Sequence, residues 1–269
     1  MSGNLPPLLL VGCGKMGGAM LAGWLELGLS DCVVVDPHAQ LPAGAAGKVT
    51  CVASPEHIPA GFTPAAVLLA TKPQEAPNTL PHYARFAGTA VFVSNMAGKT
   101  TAGLRQGLGE SATVVRAMPN TPAAIRQGFT AAFAGPGVSD AQHKLADTML
   151  AAIGEVAWVD DEALIDPVTA VSGGGPAYVF LLAEVLERAA IAQGIPADLA
   201  RRMARATVSG SGNLLAASSQ DAADLRKAVT SPKGTTERAL AVLMAEPAWP
   251  KLMDEAIAAA TARSRELAS

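Results

Sequence analysis

The apolar run Leu8 to Val11 breaks directly into Gly12-Cys13-Gly14-Lys15-Met16-Gly17, and this break limits the possible folds of the chain more than any other stretch does. Gly12 allows a tight turn out of a strand, Gly14 lets the backbone approach a pyrophosphate with no Cβ in the way, and Gly17 lets a following helix pack close to a sheet. Ala19 to Leu27 reads as that helix, and Cys32 to Val35 is a second apolar run that ends at Asp36. A helix N-terminus presents unpaired N–H groups and the positive end of a dipole to phosphates. Asp36 follows Gly17 by 19 residues, where a dinucleotide fold places the acid that accepts the adenine ribose hydroxyls. Glycine turns alone are common, but strand, glycines, helix, strand and acid in this order predict a βαβ dinucleotide site.

Further strands follow. Val49 to Ala53 is short, whereas Ala65 to Ala70 is a continuous apolar run of the kind buried on both faces of a parallel sheet, and it ends at Thr71-Lys72-Pro73. Ala90 to Val93 ends at Ser94-Asn95-Met96-Ala97-Gly98, and Thr113 to Val115 ends at Arg116-Ala117-Met118-Pro119-Asn120-Thr121-Pro122. Ligands of open α/β sheets bind beyond the carboxyl ends of the strands, so these loops are expected along one edge with the Gly12 loop. The expected cofactor-binding residues are therefore Gly12, Cys13, Gly14, Lys15, Met16, Gly17, Asp36, Ala70, Thr71, Lys72, Pro73, Met96, Ala97, Gly98 and Asn120. Phe129 to Phe133 and Glu155 to Val159 read as two more strands around a helix from Ser139 to Ile153, with Ser139 and Gln142 forming a capping box. A Rossmann-type dinucleotide-binding domain over residues 1–160 is the result.

From Asp161 the pattern is helical almost throughout: Val179 to Gln193, Ala197 to Ala217, Asp221 to Val229, Thr236 to Leu243 and Leu252 to Leu267. The fold class is thus α/β, with an all-helical domain over residues 161–269. These helices are too apolar and too few for an independent globule, so a homodimer is expected. Two stretches of this half look functional. Ser172-Gly173-Gly174-Gly175-Pro176-Ala177-Tyr178 sets minimal bulk before a proline that can open a helix. Thr230-Ser231-Pro232-Lys233-Gly234-Thr235-Thr236 gathers hydroxyls at a helix start, where amides can hold a small anion such as a carboxylate.

Composition narrows the function. The net charge is −3 with no basic block, which argues against nucleic acid as a partner. Three cysteines without a CxxC and four scattered histidines argue against a disulfide framework and against a metal site. Met1 to Pro7 lacks the character of a signal peptide and no apolar run reaches the length of a bilayer span, so a cytoplasmic protein without a membrane partner is expected.

Gly12 to Gly17, Ala70-Thr71-Lys72-Pro73, Arg116 to Pro122, Ser172 to Phe180 and Ser231 to Thr236 occur in an order that resembles the pyrroline-5-carboxylate reductase family over nearly the whole chain. The resemblance implies reduction of 1-pyrroline-5-carboxylate to proline by NADH or NADPH, the last step of proline biosynthesis. It also implies a helical dimerisation domain, active sites at the dimer interface and dimers joined into larger rings. By carry-over, Ser231, Gly234 and Thr235 would hold the substrate carboxylate, and the catalytic candidate Thr236 would bond the ring nitrogen. Three positions depart from the family pattern: Gly174 stands where serine is usual, Lys233 where glycine is usual, and Asn95-Met96 where small residues are usual.

Neither functional loop of the second half contains a His, Asp or Glu to transfer a proton. A cyclic imine can enter already protonated, so a site can work by aligning the ring and excluding water. Asp36 bonds a ribose diol and repels a 2′-phosphate, and no arginine follows nearby, so NADH is the expected preference although His38 and Lys48 lie close in sequence. The rivals are a β-hydroxyacid dehydrogenase-like oxidoreductase, a reductase of another cyclic imine, and a non-enzymatic nucleotide sensor. The first would carry a lysine on the helix Val179 to Gln193, which has none, and the last would need a partner surface such as a basic helix.

Overall fold

A computed structural model describes residues 5–268. The described residues up to Gly173, together with those from Ala260 onward, form one compact unit; Gly174–Ala259 forms a second.

The first unit is built on an eight-stranded sheet in the order β3-β2-β1-β4-β5-β6-β7-β8. Its strands are β1 (Leu8–Val11), β2 (Cys32–Val35), β3 (Val49–Val52), β4 (Ala66–Leu69), β5 (Val91–Ser94), β6 (Thr113–Met118), β7 (Gly128–Ala134) and β8 (Gly154–Trp158). The β1, β2, β4 and β5 strands are buried at every position. Their unbroken apolar sequence reflects a sheet covered on both faces. Two core layers result: Leu8, Leu10, Trp24 and Val34 lie on one side, and Leu9, Val33, Leu69 and Phe92 on the other. The helices of this unit are α1 (Lys15–Glu26), α2 (Ala76–Thr79), α3 (Thr101–Leu108), α4 (Asp140–Ala151) and α5 (Ile165–Val168). Ser139 caps α4 and forms the expected capping box with Gln142.

Two details of this unit differ from the sequence reading. The first helix begins at Lys15, within the glycine run, because Gly14 is its N-cap and Gly18 N–H already donates to the Gly14 carbonyl at 2.7 Å. β6 extends through Arg116-Ala117-Met118, read from sequence as loop, and β7 runs antiparallel to it. The connection, residues 119–127, is too short for the helical crossover that a parallel neighbour needs.

The second unit contains α6 (Gly175–Ala192), α7 (Ala197–Ala217), α8 (Ala222–Ala228), α9 (Thr235–Leu243) and the first part of α10 (Trp249–Ala268). α7 has the limits the apolar pattern predicts, whereas α6 starts earlier, at Gly175, with Pro176 in its first turn. α6 and α7 pack on each other. Even so, α6 has no buried residue and α7 buries only Ala200 and Ala204. Phe180, Leu181, Leu214, Val229 and Val242 are exposed. Within the helical residues Glu162–Ala192 a stretch of 18 residues has a mean hydropathy of 1.3, long and apolar enough to cross a membrane by length and composition, and 6% of that stretch is buried. The sequence reading missed this run because Ser172 to Pro176 looked like a loop; a π-helical turn, Thr169–Gly173, carries the backbone through it.

Candidate functional site

The sheet brings the loops after β1, β2, β4, β5 and β6 to one edge, since these five strands are mutually parallel. Strand order reverses between β1 and β4, the place where an open α/β sheet leaves a crevice for a ligand. The expected residues of the Gly12 loop, Asp36, the Ala70 to Pro73 segment and the Met96 to Gly98 segment follow these strands directly.

Close approach explains the glycines here. Gly12 has φ +88, and a Cβ on it would lie 2.9 Å from the Ala70 carbonyl carbon and oxygen. A Cβ on Gly17 would lie 2.1 Å from the Gly12 carbonyl oxygen, so helix and loop can meet only without a side chain. Around Gly14 a Cβ would meet nothing within 4 Å, and no side chain caps α1. The helix N-terminus therefore faces open space. Asp36 is already oriented: Cys13 N–H donates to its Oδ2 at 2.7 Å and His38 N–H to its Oδ1 at 2.8 Å. Beside Gly12, the Thr71 hydroxyl is buried with no hydrogen-bond partner. Amides, open space, an oriented carboxylate and an unsatisfied hydroxyl together fit a dinucleotide. The Cys13 thiol is pushed up to about 11, first by burial and then by the charges of Asp36 and Cys51, so it stays protonated and acts as packing. A cleft of about 610 Å³ opens beside the same edge, with Ala76, Pro77, Gly98, Lys99 and Thr100 in its wall.

The structure refines the roles of two expected residues. Met96 is buried in the core, its N–H donating to Ser94 Oγ at 3.3 Å, so only its backbone borders the edge. Asn120 spends its amide within the protein: Oδ1 accepts from Phe129 N–H at 2.9 Å, and Nδ2 donates to Ser172 Oγ at 3.2 Å. The loop after β6 is thereby tied to Ser172 within the first unit.

A buried charge cluster next to this edge escaped the sequence reading. Arg116 lies in β6 with its side chain 2% exposed; it pairs with Glu162 Oε1 and Asp166 Oδ1, each at 3.4 Å. Glu162 also accepts from Thr101 N–H and Thr101 Oγ1, both at 2.8 Å, and Asp166 accepts from Ser264 Oγ at 2.7 Å. The available signal was an arginine at the end of an otherwise apolar strand, which can be buried only with acidic partners.

In the second unit, Ser231 to Gly234 forms a turn closed by Gly234 N–H donating to the Ser231 carbonyl at 3.0 Å. Lys233 has φ +61 in that turn, and with Pro232 before it the arrangement follows a type II turn, whose third position normally takes glycine. The departure of Lys233 from the family pattern therefore costs about 1–2 kcal/mol of backbone strain. Glu237 offsets part of this by accepting from Lys233 N–H at 2.8 Å. α9 starts at Thr235 with Gly234 as N-cap and no side chain capping it, and Thr236 in its first turn is half-buried. The turn thus leads into a helix start whose amides no side chain caps, with Thr235 and Thr236 in its first turn, and such amides suit a carboxylate. Among the described residues, no group of three or more His, Cys, Asp and Glu side chains could hold a metal ion.

A family model described as pyrroline-5-carboxylate reductase dimerisation matches residues 162–267. Over 268 residues the chain is 36% identical to a pyrroline-5-carboxylate reductase of Pseudomonas aeruginosa, covering 98% of both chains. Its fold matches the structure of a pyrroline-5-carboxylate reductase from Coxiella burnetii with a TM-score of 0.89 and 30% identity, over 99% of this chain and 100% of that one. A Plasmodium falciparum pyrroline carboxylate reductase with NADP bound shares the fold, with a TM-score of 0.83, 24% identity and coverage of 99% of this chain and 100% of that one.

Proposed function

Since the chain belongs to the pyrroline-5-carboxylate reductase family, we propose that it reduces 1-pyrroline-5-carboxylate to proline with a nicotinamide dinucleotide. The observation that carries this reading is that a chain related to these reductases over nearly its full length contains both a Gly12–Asp36 dinucleotide edge and a Ser231–Thr236 turn. The dinucleotide supplies the hydride. Residues 1–160 bind it, through the α1 amides, Asp36, and the segments 70–73 and 96–98. Residues 161–269 bind the substrate and dimerise. Ser231, Gly234 and Thr235 hold the carboxylate at the start of α9, and Thr236 aligns the ring nitrogen. The enzyme works in the cytoplasm. Oxidation of NADH or NADPH by the purified protein with pyrroline-5-carboxylate tests this directly; a folded protein that turns over neither cofactor overturns it.

Asp36 favours NADH within this reading. Its carboxylate is fixed by two backbone amides and cannot swing away from a 2′-phosphate. Replacing Asp36 with Ser removes the repulsion and leaves the diol only a shorter, neutral acceptor. The ratio of kcat/KM for NADH over NADPH is expected to fall about ten- to a hundredfold, or roughly 1.4–2.8 kcal/mol. A ratio that does not move assigns the preference elsewhere.

The exposed apolar faces of α6, α7 and α9 fit burial against a second copy. Light scattering at micromolar concentration is expected to give the mass of a dimer or a multiple of it. A monomer would remove the dimer from the reading.

A further inference from the structure

We propose that the last turn of α10 is a positioning clamp for the loop after β5, residues 95–98; the inference rests on the reading above that assigns this loop to the cofactor. Gly98 has φ +71, and a Cβ placed on it would lie 2.7 Å from the Leu267 carbonyl oxygen and 2.9 Å from the Leu267 Cβ. The loop backbone therefore rests directly on α10. Ser264 lies three residues before Leu267, on the same face of the helix, and its hydroxyl donates to Asp166 Oδ1 at 2.7 Å. Asp166 pairs with Arg116, Arg116 with Glu162, and Glu162 accepts both the N–H and the hydroxyl of Thr101. Thr101 is the first residue of α3, three residues after Gly98.

These contacts close a ring. It runs from Gly98 through Leu267, Ser264, Asp166, Arg116 and Glu162 to Thr101, and all its members belong to the first unit. The loop is thus held from below by α10 and from behind by Glu162, while Met96 anchors its front in the core. A binding loop keeps its affinity only if its position is set before the ligand arrives, because any looseness must be removed on binding. Ser264 is a positioning residue in this scheme. It touches neither cofactor nor substrate.

The test compares Ser264→Ala, Ser264→Thr and a chain lacking residues 267–269 with the unaltered protein. Ser264→Ala and the truncation are expected to raise the KM for NADH about two- to thirtyfold, with the KM for pyrroline-5-carboxylate within about twofold; Ser264→Thr is expected to restore the original value. The inference is overturned if folded Ser264→Ala and the truncated chain keep the cofactor KM, if both KM values rise equally, or if Ser264→Thr does not restore it. Failure of the functional reading shows separately, as an unaltered protein that oxidises neither cofactor. Amide hydrogen exchange over residues 95–101 then decides the clamp: faster exchange there in the variants supports it, and unchanged exchange overturns it.

Discussion

Thr236→Ala is expected to lower kcat/KM for pyrroline-5-carboxylate by a factor on the order of ten to a thousand, with the affinity for the dinucleotide almost unchanged. Thr236 lies half-buried in the first turn of α9. It belongs to the helix start whose amides are proposed to hold the substrate carboxylate. With the carboxylate on the amides and the ring nitrogen on the hydroxyl, the ring has two anchors and so a defined face toward the hydride. Removing the second anchor loses one hydrogen bond to a cationic nitrogen, about 1.5–3 kcal/mol, and frees the ring to rotate away from the reactive orientation. A threonine hydroxyl is too weak an acid to supply a proton freely, so the effect belongs to orientation. Thr236→Ser, which keeps the hydroxyl, should retain most of the activity. Steady-state kinetics with each substrate varied in turn check both variants, and unchanged turnover in Thr236→Ala would take this residue out of the mechanism.

The largest effect on stability is expected from Arg116→Met. The side chain of Arg116 is buried, and it is the cation that Glu162 and Asp166 share. Methionine fills much of the volume but leaves two carboxylates with only neutral donors: the N–H and hydroxyl of Thr101 and the hydroxyl of Ser264. Breaking a buried pair by removing one partner costs about 3–5 kcal/mol, a large part of the roughly 5–15 kcal/mol that holds a typical domain folded. Thermal unfolding followed by circular dichroism should show the melting temperature lowered by about 6–20 °C. Adding Glu162→Gln and Asp166→Asn to Arg116→Met should recover part of the loss, since the uncompensated charges are then gone. A melting temperature within about 2 °C of the original in Arg116→Met would show that the cluster contributes little.

Much of this protein could be read along the chain because the signals were local. The runs Leu8 to Val11 and Cys32 to Val35 are strands with those limits, and Ala197–Ala217 is a helix with those limits. A strand buried on both faces must be continuously apolar, and a helix shows its period within a few turns. The Ser139 cap and its Gln142 partner lie three residues apart and act on each other whatever surrounds them. The Leu8–Asp36 segment is a βαβ unit closed by contacts within it.

What lies beyond such windows was decided by tertiary contact. The start of the first helix at Lys15 depends on Gly14 serving as its cap, and the helical path through Ser172 to Pro176 contradicts the loop preference of those residues. Lys233 occupies a left-handed position that its own propensity disfavours, in a turn that Glu237 helps to hold. The Arg116 cluster joins residues 46 to 98 positions apart, and the contact of Gly98 with Leu267 spans most of the chain. Backbone propensity and periodicity act over a few residues, whereas burying a charge, closing a ring of contacts or holding a strained turn requires partners that only the folded chain brings within reach.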